Sequence, residues 1–187
     1  SRANSTTSAI IRNVIRNNGE GGLYAFGSYS DADITIAFNL ISGNNGYGVR
    51  VGTTLISSRI EMKNNTVVEN GTYAVYVPPL SESGLYSIFL IARNNIFHAD
   101  GPDKKCVYVD GFLSGVWDYN TYYAVNGAGM GFYAQKIKTR LGEWRTTTGQ
   151  DLNSLETDPR FVDSANDNYH LMSTGGSLHD GIWLPDP

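Results

Sequence analysis

The sequence predicts an all-β fold, a parallel β-helix of about five coils that ends in a C-terminal capping segment with a short helix. Two observations predict it: one asparagine recurs along the chain, and short alternating runs surround each copy. The recurring asparagines are Asn13, Asn39, Asn65, Asn95 and Asn120, separated by 26, 26, 30 and 25 residues. A repeat of this length is typical of a structural unit stacked on copies of itself.

The repeats share a local context around their asparagines. An apolar residue stands three positions before each asparagine, and Asn or Asp stands five positions after the first four. The next residue is of a type that accepts the positive φ angles of turns: Gly19, Asn45, Gly71, Gly101 and Asn126. The gap of 30 has its cause in an insertion at residues 78–84, which we expect in a surface loop.

Alternating runs before and after the asparagines predict short strands. After each turn, aliphatic and polar or aromatic residues alternate with a period of two, as in a β-strand. This alternation places the aliphatic residues inward: Val49, Val51, Val75, Val77, Val107 and Val109. Similar runs occupy residues 34–36, 60–62 and 90–92, so each unit carries two or three strands. A unit of about 25 residues has no room for a crossover helix, and its strands must pair in parallel with those of the next unit.

Inside such a coil, each recurring asparagine turns inward and stacks on the next one, about 4.8 Å away. Its amide can then donate hydrogen bonds along a ladder and to the backbone of the turn. We therefore interpret the five asparagines as structural and not as catalytic residues.

The C-terminal part of the chain predicts a cap. A short helix is expected near residues 141–148, because Leu141, Trp144 and Arg145 share one helical face and Gly149 follows as a stop. This helix would cover the last coil. We therefore predict β-helix coils over residues 1–134 and a capping segment of the same domain over residues 135–187.

Several C-terminal motifs resemble those of a known group. Residues 157–163 (TDPRFVD), 168–171 (NYHL) and 177–181 (SLHDG) are similar to the ending of secreted bacterial proteins in the pectate lyase-like superfamily, and residues 117–123 and 142–151 resemble their last coil and short helix. The resemblance implies a right-handed parallel β-helix that is secreted or displayed at the cell surface. It leaves the chemistry open, because the superfamily includes polysaccharide lyases, glycoside hydrolases, epimerases and non-catalytic surface proteins.

Composition narrows the choice of partners. A net charge of −4 without a dense Lys/Arg run argues against nucleic acid. The longest apolar run, residues 88–92, is too short to span a bilayer, and Cys106 is expected to be a small buried side chain. Because residues 1–8 are polar and contain no capping helix, we expect the N-terminal end to continue into upstream coils or to meet another chain.

A first candidate site is a column of charged residues. Two positions before successive asparagines stand Lys63, Arg93 and Asp118, and Glu61 points to the same side as Lys63. In a polyuronate lyase, cations neutralise the substrate carboxylate and a Lys or Arg accepts the neighbouring proton. We therefore predict Lys63 and Arg93 as base and neutraliser, with Glu61 as their orienting partner. The alternative is a solvated surface with ordinary ion pairs.

A second candidate site is the outward column of Tyr24, Arg50, Tyr76 and Tyr108. Aromatic rings can pack against the apolar faces of sugars, and Arg50 could hold a carboxylate or sulfate through two donors. We predict these four residues as substrate-binding. The alternative is that tyrosine is simply favoured on strands.

No metal site or cofactor is predicted. Asp31 and Asp33 flank Ala32 in a predicted turn and could bind Ca²⁺, which the resembled lyases often use. Two carboxylates fall short of the roughly six or more oxygen ligands that Ca²⁺ needs. His98, expected at a turn, could act as an acid or base near the cationic column, although a structural role is favoured.

These patterns indicate a carbohydrate-active β-helix that acts on an acidic polysaccharide, with β-elimination as the most concrete mechanism. The rival interpretation is a non-catalytic carbohydrate-binding or structural surface solenoid. A glycoside hydrolase would need two carboxylates about 5 to 10 Å apart, and Glu61 and Asp118 lie two coils apart in the predicted register.

Overall fold

A computed structural model of the chain describes residues 6–27, 32–53, 58–79, 88–110, 114–172, 177–179 and 182–184. The chain divides into two compact units, Ser1–Thr157 and Asp158–Pro187. Most of the predicted insertion at residues 78–84 lies outside the described residues.

The first unit is built from triplets of strands, one triplet per coil. The first three coils contain β1 (Thr6–Ile11), β2 (Val14–Arg16), β3 (Leu23–Gly27), β4 (Ala32–Ala37), β5 (Leu40–Ser42), β6 (Val49–Thr53), β7 (Ser58–Lys63), β8 (Thr66–Val68) and β9 (Tyr73–Val77). The next two contain β10 (Ile88–Arg93), β11 (Ile96–Asp100), β12 (Lys105–Val109), β13 (Ser114–Asp118), β14 (Thr121–Val125) and β15 (Gly129–Tyr133). The unit ends with β16 (Lys136–Lys138), the helix α1 (Leu141–Thr148) and β17 (Leu155–Glu156).

Equivalent strands of successive coils form three parallel sheets. Sheet A contains β1, β4, β7, β10 and β13; sheet B contains β2, β5, β8, β11, β14 and β17; and sheet C contains β3, β6, β9, β12, β15 and β16. Only β16 runs antiparallel to its neighbour among the strands of these three sheets. In the described part of the coils no helix lies between the strands, and the predicted parallel β-helix is confirmed.

The core is a set of aliphatic rows along the axis of the coils. The predicted valines of sheet C are buried, with at most 4% of their surface exposed. Val49 pairs with Val75, and Val75 pairs with Val107. Because every coil contributes to the same rows, each coil buries its apolar side chains against its neighbours.

The corners of the coils differ from the sequence prediction. Positive φ angles of 54–58° occur at the residue just before each recurring asparagine: Arg12, Phe38, Asn64, Asn94 and Tyr119. The positions predicted for positive φ are correct at Gly101 and Asn126 but wrong at Gly19, Asn45 and Gly71. At Gly71 the small residue has another cause, since a Cβ atom there would clash with the carbonyl oxygen of Asn45.

The last coil is covered as predicted by α1, which spans Leu141–Thr148 and ends at Gly149 in the left-handed region. Leu141 and Trp144 are buried, and the Trp144 ring packs 6.2 Å from the ring of Trp117. Beyond the helix, the side-chain amide of Gln150 takes the place of a further strand beside sheet A. It accepts a hydrogen bond from the Trp117 N–H (2.9 Å) and donates one to the Gly115 carbonyl (3.4 Å).

The second unit contains two small antiparallel pairs. The strand β18 (Phe161–Asp163) pairs with β19 (Asn168–Leu171), and the rings of Phe161 and Tyr169 meet edge to face at 5.3 Å. A 3-10 turn, Ser164–Asn166, connects these two strands. The second pair consists of β20 (Ser177–His179) and β21 (Ile182–Leu184).

Candidate functional site

The recurring asparagines form a continuous interior column, which we call the first ladder: Asn13, Asn39, Asn65, Asn95 and Asn120. Each side-chain amide donates to the Oδ1 atom of the next asparagine at 2.9–3.1 Å. The same Oδ1 atom also accepts the backbone N–H of the preceding asparagine, as at Asn65 (3.0 Å). Four members are buried, whereas Asn13 at the first coil is exposed. The four buried members thus use their amide groups inside the coils and offer none to a ligand.

The first ladder ends on a buried carboxylate that the sequence did not reveal. Asp151 is 1% exposed and accepts hydrogen bonds from the Asn120 amide (3.0 Å), the Tyr122 hydroxyl (3.0 Å) and the Trp144 indole N–H (2.9 Å). The Ser154 hydroxyl donates a fourth bond at 2.6 Å. Four donors satisfy the charge in a site without water access, so Asp151 fixes the helix to the last coil.

A second, shorter ladder runs through Asn18, Asn44 and Asn70. Its amide hydrogen bonds measure 2.8 and 2.9 Å. It stops at the fourth coil, where Asp100 replaces the asparagine and β11 is five residues long instead of the three in β8. The signal for this ladder was the Asn or Asp five positions after each of the first four first-ladder residues.

The predicted charge column lies on the outer face of sheet A. Lys63 pairs in register with Arg93, and Arg93 pairs with Asp118. The Lys63 ammonium lies 3.5 Å from Glu61 Oε2, with 40% and 27% of the two side chains exposed. The structure therefore brings the four predicted residues together, and one of the two cations already has a carboxylate partner.

Asp118 closes the other end of the charge column. Its carboxylate accepts hydrogen bonds from the backbone and side-chain N–H groups of Asn153, each at 2.7 Å, and from the Tyr119 N–H at 3.0 Å. Partial burial by itself would raise the pKa of Asp118, but these hydrogen bonds and the Arg93 charge together lower it. A carboxylate held ionised in this way is unsuited to donate a proton to a glycosidic oxygen.

The second predicted column lies on the outer face of sheet C and is longer than expected. Tyr24 pairs in register with Arg50, Arg50 with Tyr76, and Tyr76 with Tyr108. Phe132, which the sequence prediction missed because Gly129 and Gly131 interrupt the aliphatic alternation of its strand, continues the column beyond Tyr108. We call these five residues the ring strip.

The rings of this strip contact one another along the axis. Tyr108 and Phe132 are stacked with centroids 4.4 Å apart and planes inclined by 6°, whereas Tyr76 meets Tyr108 edge to face at 5.7 Å. The stacked faces of Tyr108 and Phe132 are therefore covered by each other. Tyr24 is the most open ring, with 46% of its surface exposed. The Arg50 guanidinium lies over one face of this ring, and the flat sugar platform expected from the sequence stays a prediction.

Arg50 is the distinctive member of the ring strip. Its guanidinium carbon lies 4.8 Å from the centroid of the Tyr24 ring and 5.5 Å from that of Tyr76. Among the described residues no carboxylate lies within ion-pair distance of Arg50, and its buried Nε atom has no hydrogen-bond partner. Two aromatic neighbours thus hold the guanidinium in place, and because Nε is buried, a ligand would have to bind the terminal Nη groups.

Two other candidate residues lie in strands and not in the turns predicted for them. His98 lies in β11 and not in a turn, is buried, and stacks on Tyr123 at 5.1 Å; it belongs to sheet B, away from the outer face of sheet A. Asp33 lies in the strand β4 and not in a turn, and Asp31 lies outside the described residues. The described part of the chain holds no cluster of three His, Cys, Asp or Glu side chains suited to a metal ion.

Cys106 is fully buried, as predicted, and its thiol contacts the Phe97 carbonyl oxygen at 3.3 Å. Burial raises the pKa of this thiol to about 12. It therefore stays protonated at neutral pH and is not a nucleophile. Within the described residues no helix has the length and apolar character of a membrane span.

The family described as "Right handed beta helix region" matches residues 2–141, well over half of the 187 residues. No curated protein and no solved structure matches the chain.

Proposed function

Because the chain belongs to the right-handed β-helix family, we propose that it is a carbohydrate-binding solenoid whose ring strip binds an acidic polysaccharide. The observation that carries this proposal is Arg50, an outward cation held between two rings with no carboxylate partner among the described residues. Secretion or surface display remains part of the proposal, since an acidic polysaccharide is encountered there.

Arg50 suits a carboxylate or sulfate for two reasons. Its planar guanidinium can form two parallel hydrogen bonds with such a group. The flanking rings of Tyr24 and Tyr76 already restrict its side chain, so binding costs less conformational entropy than it would for a free arginine. Because the net charge of the chain is −4, the protein as a whole does not attract an anionic polymer. The attraction must come from the local positive charge of Arg50.

The axial repeat of the strip matches a polymer. Adjacent parallel strands lie about 4.8 Å apart, close to the length of one sugar residue along a polysaccharide chain. A chain lying along the strip would place one acidic group at Arg50 and its neighbouring sugars beside Tyr24 and Tyr76. The Tyr24 face can cover a sugar ring, and the phenol hydroxyls can bond to sugar hydroxyls.

A second candidate function is β-elimination at the charge column, favoured by the register that places Lys63 beside Arg93 with Glu61 at 3.5 Å. One cation would neutralise the uronate carboxylate, and the other, as a neutral base, would take the proton on the adjacent carbon. The bond to the leaving sugar oxygen then breaks, water protonates that oxygen, and an unsaturated uronate end remains. Glu61 would orient Lys63.

The binding proposal is tested with Arg50→Gln in the full chain, titrated with polygalacturonate, alginate and a glycosaminoglycan. Loss of a charge-assisted hydrogen bond should weaken binding about tenfold or more. Arg59→Gln is the matched control, because Arg59 is an exposed arginine on the outer face of sheet A and changes the net charge equally. Equal affinities of the Arg50 and Arg59 variants would refute the ring strip as the binding site.

The lyase candidate has a separate readout. Incubation of the same polymers with the wild-type chain should produce the ultraviolet absorbance of unsaturated uronate ends, and Lys63→Ala and Arg93→Ala should each abolish it. Arg50→Gln would reduce that signal only through weaker binding. Binding without any unsaturated product excludes β-elimination and leaves the binding proposal in place.

A further inference from the structure

A groove of about 500 Å³ lies between the edge strand β16 and the helix α1. Its walls include Lys136, Lys138, Gly142, Glu143 and Thr146. None of these residues belongs to the ring strip or to the charge column, so neither proposed function accounts for the groove.

Lys138 is the unusual residue of this groove. It lies opposite Gly131 in the antiparallel pair of β15 and β16, and Trp144 packs against that face of Gly131. Lys138 therefore points toward the side covered by α1, and only 8% of it is exposed. Among the described residues, no hydrogen bond or ion pair reaches its ammonium group. The stem of Lys138 is therefore buried, while its ammonium group has no protein partner among the described residues and can pair with an anion that enters the groove.

The first turn of α1 adds a backbone donor to the same groove. The Leu141 N–H donates to Glu156 Oε2 (3.0 Å). The N–H groups of Glu143 and Trp144 both donate to the Arg140 carbonyl oxygen, at 3.1 and 3.3 Å. The Gly142 N–H has no such acceptor within the described part of the chain. An open N–H at the positive end of a helix favours an anion.

One negative charge opposes this arrangement. The Glu143 carboxylate accepts the Thr139 N–H at 2.7 Å and its hydroxyl at 3.2 Å, and these bonds lower the pKa of Glu143. The Lys138 charge contributes to the same shift but forms no direct ion pair with Glu143. The hydrogen bonds to Thr139 hold the Glu143 carboxylate away from a direct pair with Lys138. The two lysines and Glu143 together give the groove a net charge of about +1.

We propose that this groove binds a compact oxyanion, a carboxylate, sulfate or phosphate group, with Lys138 as the principal contact and Lys136 and the Gly142 N–H as supporting donors. The methylene stems of the lysines and the exposed Ile137 give the groove an apolar wall that suits an oxyanion carried on a sugar or another small organic body. This inference stands independently of the ring strip.

The competing explanation for Lys138 concerns only folding. The strand β16 is one of the two edge strands of sheet C, and inward-pointing charges on an edge strand discourage pairing with another chain. That explanation predicts aggregation of a Lys138 variant and no saturable anion binding by the wild-type chain.

The test is a nuclear magnetic resonance titration of the full chain with sulfate, phosphate and glucuronate, each compared with chloride at constant ionic strength. A bound oxyanion should shift the amide signals of Gly142, Thr146 and Thr147 in a saturable way. Lys138→Met keeps the apolar stem and should weaken binding about tenfold or more. Lys136→Met should weaken it less, and Glu143→Gln should strengthen it because an opposing charge is removed.

The three anions identify which oxyanion fits the groove, and saturation by any one of them supports the site. The proposal is overturned if no anion saturates these signals beyond the effect of chloride, or if Lys138→Met binds as tightly as the wild-type chain. Should Lys138→Met aggregate, the Glu143→Gln titration decides the matter: unchanged affinity there contradicts an anion beside Lys138.

Discussion

The first ladder and the ring strip are two columns with the same axial repeat, one inside the coils and one outside. In the ladder, each amide donates to the next asparagine, and the final amide donates to Asp151. In the ring strip, Tyr108 contacts the rings of Tyr76 and Phe132, whereas the Arg50 guanidinium lies beside two rings with no carboxylate partner among the described residues. The same stacking register thus produces a closed column in the core and an open one on the surface.

This contrast separates residues that hold the fold from residues that are available for binding. Interior polar groups must find protein partners, because water cannot reach them. Surface groups have no such requirement, and the charge column stands between the two cases, since its cations face Glu61 and Asp118. We therefore expect substitutions inside to lower stability and substitutions on the ring strip to lower ligand affinity.

The largest effect is expected at the closed end of the first ladder. Asp151→Ala leaves the Asn120 amide, the Tyr122 hydroxyl and the Trp144 N–H without their acceptor. We expect a loss of about 3–5 kcal/mol in the free energy of unfolding, measured by denaturant titration.

Asp151→Asn provides the control for that experiment. It keeps one oxygen as an acceptor but directs an NH₂ group at other donors, so the loss should be smaller than for Asp151→Ala. If both variants unfold at the denaturant concentration of the wild-type chain, Asp151 does not join the helix to the coils.

The second-largest loss of stability is expected within the first ladder. Asn65→Ala removes an amide that bonds to Asn39, Asn95 and the Ile36 carbonyl, all in the interior. The free energy of unfolding should fall by about 1–3 kcal/mol. Asn13→Ala, at the exposed first coil, should cost clearly less, and equal losses at the two positions would contradict the importance of burial.

An alkaline titration tests how closed the interior is. Burial raises the pKa of the Cys106 thiol from an ordinary 9.0 to about 12, and burial followed by the Asp151 charge also raises the pKa of Tyr122. The unfolded chain releases the thiol proton first, so the stability due to Cys106 is complete below pH 9.0 and is lost as the pH rises toward about 12. The expected loss is about 1.4 kcal/mol per pH unit.

Cys106→Ala is the matched variant for the alkaline titration. It should be less stable at neutral pH because of the cavity, but its stability should decline less steeply just above pH 9.0. Parallel pH curves for the variant and the wild-type chain would show that the thiol is accessible to solvent in the folded state.

The smallest effects on stability are expected on the outer columns. Lys63→Ala should change the free energy of unfolding by less than about 1 kcal/mol, because its contact with Glu61 is exposed. Arg50→Gln should cost about 0.5–1 kcal/mol through the lost contacts with the tyrosine rings. A larger loss at Arg50 would make it a structural residue and weaken the case for an open column.

The sequence predicted the parts of the molecule that repeat. The positions of the first-ladder asparagines predicted the register of the coils, and that register places Lys63 beside Arg93 and Tyr24 beside Arg50, as observed. The helix was predictable because Leu141, Trp144 and the stop at Gly149 form a local pattern that needs no distant partner.

Features that depend on a break in the repeat were missed. Asp151 joins the first ladder after an interval of 31 residues that contains a helix, so no spacing pointed to it. The side-chain amide of Gln150 forms the hydrogen bond to Trp117 that a neighbouring strand would otherwise form. Strand propensity describes backbone preference and cannot predict such a side-chain contact. The groove around Lys138 depends on the antiparallel reversal at β16, whereas every earlier strand of sheet C runs parallel.

The central claim is that Arg50 receives the acidic group of a polysaccharide. The most direct test is to measure, by calorimetry at low and moderate salt, the affinity of the full chain for polygalacturonate and for the same polymer with its carboxyl groups reduced to alcohols. We predict that carboxyl reduction lowers the affinity of the wild-type chain about tenfold or more and barely changes that of Arg50→Gln. An equal loss of affinity in the wild-type chain and in Arg50→Gln would contradict the claim, because the acidic group would then be bound elsewhere.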